Sequence, residues 1–363
     1  MNIGFIGLGL IGGSIAKTIR RVHPDARIIA YNRTASVLND AVRDGTVDEA
    51  CWEISGAFSS CDYVFLCTPV VTMLRQLKAL KPYLRFGAIV TDVGSTKQGI
   101  HQAVHELGMD GCFIGGHPMA GSEKTGYENA TDRMIENAWY ILTPSDDVPL
   151  KKVSEFSAFI SSLGALPLIM KASEHDYVTA ATSHLPHIVS AALVNTVREL
   201  DGPEEYMRTI AAGGFKDITR ISSSSPQMWQ EICLANEDDL CIVLDRFIRK
   251  LTDFRFAIRN GNGEKLLEYF TECKTYRDSF SDDVRAGIRK ENRIYLDIAD
   301  RPGALAEVAS VLAKNDISIE NIGIVHNRDF EQGVLHIEFY DPEARTKAVK
   351  VLKENSYSVY EDK

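Results

Sequence analysis

From Met1 to about Leu168, short apolar runs alternate with stretches whose apolar residues recur at helical spacing, the rhythm of a parallel sheet with crossover helices. Asn2–Ile6, Arg27–Tyr31, Tyr63–Cys67, Ala88–Asp92, Cys112–Gly115 and Trp139–Leu142 read as the strands. Gly7, Asn32, Thr68, Gly94 and Gly116 fall at their carboxyl ends, where open α/β sheets bind ligands. After Lys171 the strand signals stop, and Ala172–Leu200, Asp238–Asn260 and Gly263–Arg289 read as helices with interspersed polar faces, an all-helical segment suited to dimerisation. A charged stretch, RAGIRKENR (Arg285–Arg293), leads into a last unit. There Asn292–Ala299, Ile317–Val325, Gly333–Tyr340 and Ser356–Tyr360 read as strands, with helices at Gly303–Asn315 and Pro342–Asn355, a βαββαβ, ferredoxin-like order. The expected division is therefore 1–168, 169–289 and 292–363.

Length agrees with that division, since 363 residues exceed one ordinary core of roughly 100–200 residues. Charge narrows the partners. The 50 Asp and Glu against 40 Lys and Arg leave a net charge of -10, which would repel a phosphate backbone unless a basic stripe opposed it. None is visible, so no nucleic-acid partner is expected. The seven cysteines (Cys51, Cys61, Cys67, Cys112, Cys233, Cys241 and Cys273) are scattered and form no CxxC pair, as expected of reduced thiols in a cytosol. The opening MNIGFIG lacks a basic n-region and reads as a strand, and no run of about 18 uncharged apolar residues suggests a membrane span. A cytoplasmic protein is the expectation.

GLGLIGG sets Gly7, Gly9 and Gly12 in GxGxxG register between the first strand and the first helix. Such glycines let the backbone turn tightly and approach a pyrophosphate resting on the helix N-terminus. Leu10, Ile11 and, on a neighbouring strand end, Thr68 join them as cofactor contacts. A surface turn could carry the same glycines, but a second strand ending about 20 residues beyond Gly12 favours a dinucleotide and a Rossmann-type doubly wound sheet. At the end of that second strand, where NAD-binding sheets usually carry Asp or Glu, stand Tyr31, Asn32, Arg33 and Thr34. Asn32 would not repel a 2′-phosphate and Arg33 could pair with one; equally, Asn32 could hydrogen-bond the ribose of NAD with Arg33 in solvent. NAD and NADP both stay open.

DVGSTK (Asp92–Lys97) and GGHPMAGSE (Gly115–Glu123) each follow a strand's carboxyl end. His117, between Gly116 and Pro118, reads as a loop residue with little freedom that could take a proton near neutral pH. A lone histidine is more often structural, but a cofactor loop on the same sheet edge reverses that preference. TSHLPH (Thr182–His187) places His184 and His187 three apart on a helix kinked by Pro186; no third ligand follows at a recognisable spacing, so no metal is expected. In GGFKDITRI (Gly213–Ile221), followed by SSSSPQMWQ, Arg220 and more loosely Lys216 suit an anion, although Arg220 could instead pair with Asp217. HQAVH (His101–His105) has metal-like spacing, but on a crossover helix it reads as a solvated face.

Taken in order, GLGLIGGS, CTPV, DVGSTK, GGHPMAGSE, TSHLPH, GGFKDITRI and PQMW resemble the prephenate dehydrogenase family from Met1 to about Arg289. ADRPGALAEVASVLAKNDISIENI (Ala299–Ile322) resembles the opening of an ACT domain, a regulatory fold that binds amino acids. The resemblance implies oxidative decarboxylation of prephenate to 4-hydroxyphenylpyruvate, on the way to tyrosine, by a homodimer using NAD or NADP. On that reading His117 accepts the ring hydroxyl's proton and Ser95 hydrogen-bonds the hydroxyl and the nicotinamide. His187, Ser122 and Trp229 shape the substrate pocket, and Arg220 grips a substrate carboxylate. The side-chain carboxylate suits Arg220 better, because holding the one that departs would stabilise the ground state.

In the last unit, Asp300, Pro302, Gly303 and Ala304 would form a turn whose backbone N–H groups take an amino acid's carboxylate, with Asp300 meeting its ammonium. Tyrosine is the expected effector, and a role in assembly alone is the alternative. Arogenate, with an amine in place of the keto group, is an alternative substrate. A β-hydroxyacid dehydrogenase would share the N-terminal half but use a lysine of the helical domain as base. A non-catalytic amino-acid sensor would have lost His117 or Arg220, and both are present.

Overall fold

The computed structural model describes residues 1–122, 124–280, 292–298, 301–325 and 333–360, which divide into two compact units, Met1–Glu268 and Tyr269–Lys363. The first opens with β1 (Asn2–Ile6), α1 (Leu10–Val22), β2 (Arg27–Tyr31), α2 (Ala35–Arg43), β3 (Glu49–Cys51), β4 (Tyr63–Leu66), α3 (Val70–Leu80) and β5 (Ile89–Asp92). Their strands form a parallel sheet in the order β3-β2-β1-β4-β5. The apolar runs are continuous because both faces of this Rossmann-type sheet are covered. Phe5 and Phe65 stack at 5.1 Å and pack with Ile15 and Ile19 of α1 on one face. Ile6, Val64, Leu66 and Val90 pack with Leu77 of α3 on the other. The strand order reverses between β1 and β4, which opens a crevice beyond their carboxyl ends.

After α4 (Gln98–Glu106) the parallel pattern expected through Leu168 breaks. β6 (Ile114–Pro118) and β7 (Trp139–Pro144) run antiparallel, with His117 opposite Ile141. β8 (Leu166–Ile169), which follows α5 (Leu150–Ser162), pairs in parallel with β7, and a bridge from Val90 to Phe113 joins this part to β5. His117 is thus held within a strand and not on a loop, because the pairing with β7 continues through Pro118. His101 also departs from its expected solvated face: its ring lies 2.9 Å from Thr143 Oγ1, 3.2 Å from Ser145 Oγ and edge-on to Phe113. The new sheet covers that side of α4.

The helical segment comprises α6 (Ala172–Thr179), α7 (Leu185–Leu200), α8 (Tyr206–Ile210), α9 (Gly213–Thr219), α10 (Pro226–Ala235), α11 (Glu237–Arg259) and α12 (Gly263–Asp278). A π-helical turn, Ala180–His184, runs into α7. The irregularity in TSHLPH therefore precedes Pro186, which sits in the first turn of α7, where a missing N–H is tolerated. Ala180, Leu240 and Val243 form a small core with Leu185, Ile188 and Cys233. Tyr206, Ile210 and Phe256, by contrast, are 70%, 75% and 71% exposed.

In the second unit, β9 (Arg293–Ile298), α13 (Ala304–Ala313), β10 (Asn321–Val325), β11 (Gly333–Glu338), α14 (Pro342–Glu354) and β12 (Val359–Tyr360) alternate as βαββαβ. The antiparallel sheet has the order β10-β11-β9-β12. Leu296, Leu335 and Ile337 on the sheet and Val308, Leu312 and Leu352 on the helices make its core. Among the described residues no helix is long and apolar enough to cross a membrane.

Candidate active site

β5 ends at Asp92, and the chain turns through Ser95 into α4. The buried Asp92 carboxylate accepts the Gly94 N–H (2.8 Å), the Gly116 N–H (3.1 Å) and the ammonium of buried Lys97. One side chain thereby ties the turn that carries Ser95 to the strand that carries His117. α6 closes on the same place. Asp176 accepts the N–H groups of Lys97 and Gln98, each at 2.7 Å, which would otherwise be unpaired donors near the start of α4. It also lies 2.7 Å from His175 Nδ1, and His175 Nε2 lies 2.7 Å from His117 Nδ1.

Burial pushes the pKa of His117 well below the ordinary imidazole value, and electrostatic coupling to His175, Lys97 and His184 adds to the effect. The sequence expectation of titration near neutrality is corrected accordingly: enclosure favours the neutral ring. Burial alone would raise Asp176, but hydrogen bonds from His175, Gln98 and Lys97 outweigh it and hold the carboxyl below its usual range.

The π-helical turn and α7 add a second group. The Asn236 amide nitrogen donates to the Asp176 carbonyl (2.8 Å) and lies 3.2 Å from His184 Nδ1. Burial lowers His184 to about 4, so the ring is neutral, accepts from Asn236 at Nδ1 and carries its proton on Nε2. His187 stacks on Trp229 with 3.6 Å between centroids, and His184 meets Trp229 edge-on at 6.0 Å. Burial and then the charge of Arg220 lower the His187 pKa. His184 Nε2 and Trp229 Nε1 are buried and have no hydrogen-bond partner among the described residues, an arrangement that leaves two N–H donors for a ligand oxygen.

At the crevice between β1 and β4, Gly7 has φ +102°, and a Cβ there would lie 2.7 Å from Thr68 Cγ2. A Cβ on Gly12 would lie 2.5 Å from the Gly7 carbonyl oxygen, whereas one on Gly9 would meet no atom within 4 Å. The loop is closed beneath and open above. Gly9 starts α1 without a side-chain cap, and Leu10 and Ile11 form the helix's first turn, so bare backbone donors fit a pyrophosphate there. Asn32 Oδ1 accepts the Leu8 N–H (3.1 Å) and its Nδ2 donates to the Thr34 carbonyl (3.2 Å); the side chain braces the loop, while Arg33 is exposed. Thr68 Oγ1 donates to Gln76 Oε1 at 2.5 Å. Among the described residues no cluster of His, Cys, Asp and Glu could hold a metal.

Residues 15–167 match the family described as prephenate dehydrogenase, nucleotide-binding domain, and residues 171–272 that described as prephenate dehydrogenase, dimerization domain. A prephenate dehydrogenase of Bacillus subtilis is 36% identical over 349 residues, 96% of this chain and 94% of its own. The chain belongs to the prephenate dehydrogenase family. Among solved structures, the Aquifex aeolicus prephenate dehydrogenase in complex with hydroxyphenyl propionate and NAD+ superposes with a TM-score of 0.73 at 35% identity, covering 77% of this chain and 98% of that one. Synechocystis arogenate dehydrogenase does so with 0.70 at 31%, covering 77% and 100%.

Within this prephenate dehydrogenase fold, His187, Trp229 and Arg220 gather around α7, and His117 lies on the strand bonded to the turn of Ser95. Ser122 is exposed, its Oγ accepting the Lys124 N–H (3.2 Å), and Glu123 lies outside the described residues. In the second unit Gly303, with φ +91°, opens α13, and the Ala304 N–H donates to the Arg301 carbonyl (3.2 Å). Pro302 is exposed beside them, and Asp300 lies outside the described residues. Sequence reading missed His175, Asp176 and Asn236. The one available signal was the adjacent His-Asp pair in the first helix after the last N-terminal strand.

Proposed function

We propose that this chain is a nicotinamide-dependent prephenate dehydrogenase of tyrosine biosynthesis. In this reading residues 1–168 hold the cofactor, 169–289 complete the substrate site and join two copies, and 292–363 form an ACT regulatory domain. The observation that carries it is a buried, neutral His117 bonded through Nδ1 to His175, on a strand tied to the Ser95 turn, in the same unit as an open glycine loop. The nicotinamide, when bound, supplies the hydride acceptor. The chain's own residues do the rest. His117 Nε2 takes the ring hydroxyl's proton while the hydride leaves the carbon that bears that hydroxyl; the bond to the ring carboxylate breaks, its electron pair completes the aromatic ring as carbon dioxide departs, and the phenolate oxygen so formed takes the proton back from His117. Ser95 orients the hydroxyl, and His187 and Trp229 shape the pocket. The unpaired His184 and Trp229 N–H groups favour an oxygen-rich substrate.

Reduced-nicotinamide formation with prephenate and with arogenate, each with NAD and NADP, tests the reading. Turnover of prephenate with at least one cofactor is expected, and no turnover in all four mixtures would overturn it. Asn32 brings no negative charge to the ribose site, which is compatible with either cofactor. Arg220 holds the side-chain carboxylate; Arg220→Gln is expected to raise the prephenate KM roughly 10–100-fold, the scale of a charge-assisted hydrogen bond, with a smaller change in kcat. A fall in kcat alone would refute a binding role.

The exposed Tyr206, Ile210 and Phe256 support a homodimer. Tyrosine is proposed as a feedback inhibitor acting through Asp300 to Ala304, supported by the βαββαβ order and the open space around Gly303. Gly303→Val in the full chain is expected to abolish tyrosine inhibition while uninhibited turnover persists. Undiminished inhibition would place tyrosine at the active site instead.

A further inference from the structure

We propose that His175 and Asp176 are positioning residues that dictate which nitrogen of His117 is free to receive the substrate proton, an inference that rests on His117 being the base. Asp176 accepts at every contact of its carboxylate: two backbone N–H groups of 2.7 Å and His175 Nδ1 at 2.7 Å. His175 must therefore carry its proton on Nδ1, which leaves Nε2 as a lone pair. The 2.7 Å contact to His117 then requires a proton on His117 Nδ1, so His117 Nε2 is the unprotonated nitrogen. The opposite order would place a proton on His117 Nε2 and block it as an acceptor. When Nε2 is protonated during turnover, the positive charge on His117 faces a chain that ends in a carboxylate and is stabilised by it.

The groups around this chain come from every packed element. Asp92 and Lys97 flank it from the β5–α4 turn, and His101 lies on α4. His184 approaches from the π-helical turn. Asp239 of α11 accepts from the Gln98 side chain at 3.1 Å. Lys97 is already bonded to Asp92, which leaves Asp176 as the carboxylate in contact with the histidine pair.

The first test needs no variant. In the intact enzyme, the nitrogen chemical shifts of labelled histidine should show His117 protonated at Nδ1 and bare at Nε2; the reverse tautomer would overturn the proposal. Asp176→Asn should mix the two tautomers, lower kcat by roughly 10²–10⁴-fold, as loss of the orienting carboxylate does in a serine-protease triad, and move the ionisation of the residual kcat to lower pH. The prephenate KM should stay within about threefold. His175→Gln, whose amide can donate to Asp176 and accept from His117, should retain at least tenfold more kcat than His175→Leu. Equal kcat in those two variants, or an unmoved kcat ionisation in Asp176→Asn, would assign the pair a purely structural role. Full activity in His117→Asn would remove the base itself and so separates failure of the parent reading from failure of this one.

Discussion

Replacing His117 with asparagine is expected to lower kcat by about 10²–10⁴-fold with little change in the prephenate KM, because the amide keeps a polar shape but cannot accept the hydroxyl proton. The pH profile carries a second signature. With the His117 pKa depressed by burial below its ordinary value of 6.5, the base is neutral and competent above that value. Activity is lost only as the pH falls through the lower pKa. The acid limb of kcat should therefore lie on the acid side of 6.5 and vanish in the variant. An unchanged kcat would eliminate His117 as the base.

The largest expected loss of stability comes from Lys97→Met. Lys97 and Asp92 are both essentially inaccessible to solvent, and their ion pair closes the turn that carries Ser95. Removing one partner of a buried pair leaves an uncompensated charge, a change that costs about 3–5 kcal/mol. Because Asp92 keeps the Gly94 and Gly116 N–H groups, the loss should fall toward the lower end. Urea unfolding followed by intrinsic fluorescence measures it. Lys97→Met/Asp92→Asn should recover part of the stability, since it removes the stranded charge; a single-variant loss below about 1 kcal/mol would show that the pair does not anchor the turn.

The sheet edge on which this chemistry stands is legible in the sequence. Apolar runs such as NIGFI and YVFL are unbroken because helices cover both faces of the sheet, and GLGLIGG shows its glycine spacing within a few residues. Short strands were not legible: β3 has three residues and β8 ends in two exposed ones, too little alternation to register. The antiparallel run of β6 was hidden for a related reason. An apolar segment shows that it is a strand, but the direction of its neighbour is a property of the pair.

Local propensity and periodicity are written in neighbouring residues, and so the sequence by itself determined the glycine loop between the first strand and helix, the change from α/β to all-helical structure, the βαββαβ order of the last unit and the candidacy of His117 and Arg220. Tertiary structure alone decided what those groups do to one another. His117 and His175 lie 58 residues apart yet meet at 2.7 Å, and Asp176 reaches the N–H groups of Lys97 and Gln98 across 79 and 78 residues. The pKa of His117, its free nitrogen and the burial of Lys97 all follow from those contacts. Such quantities depend on distance and on exclusion of water, and both are set only when remote segments pack together.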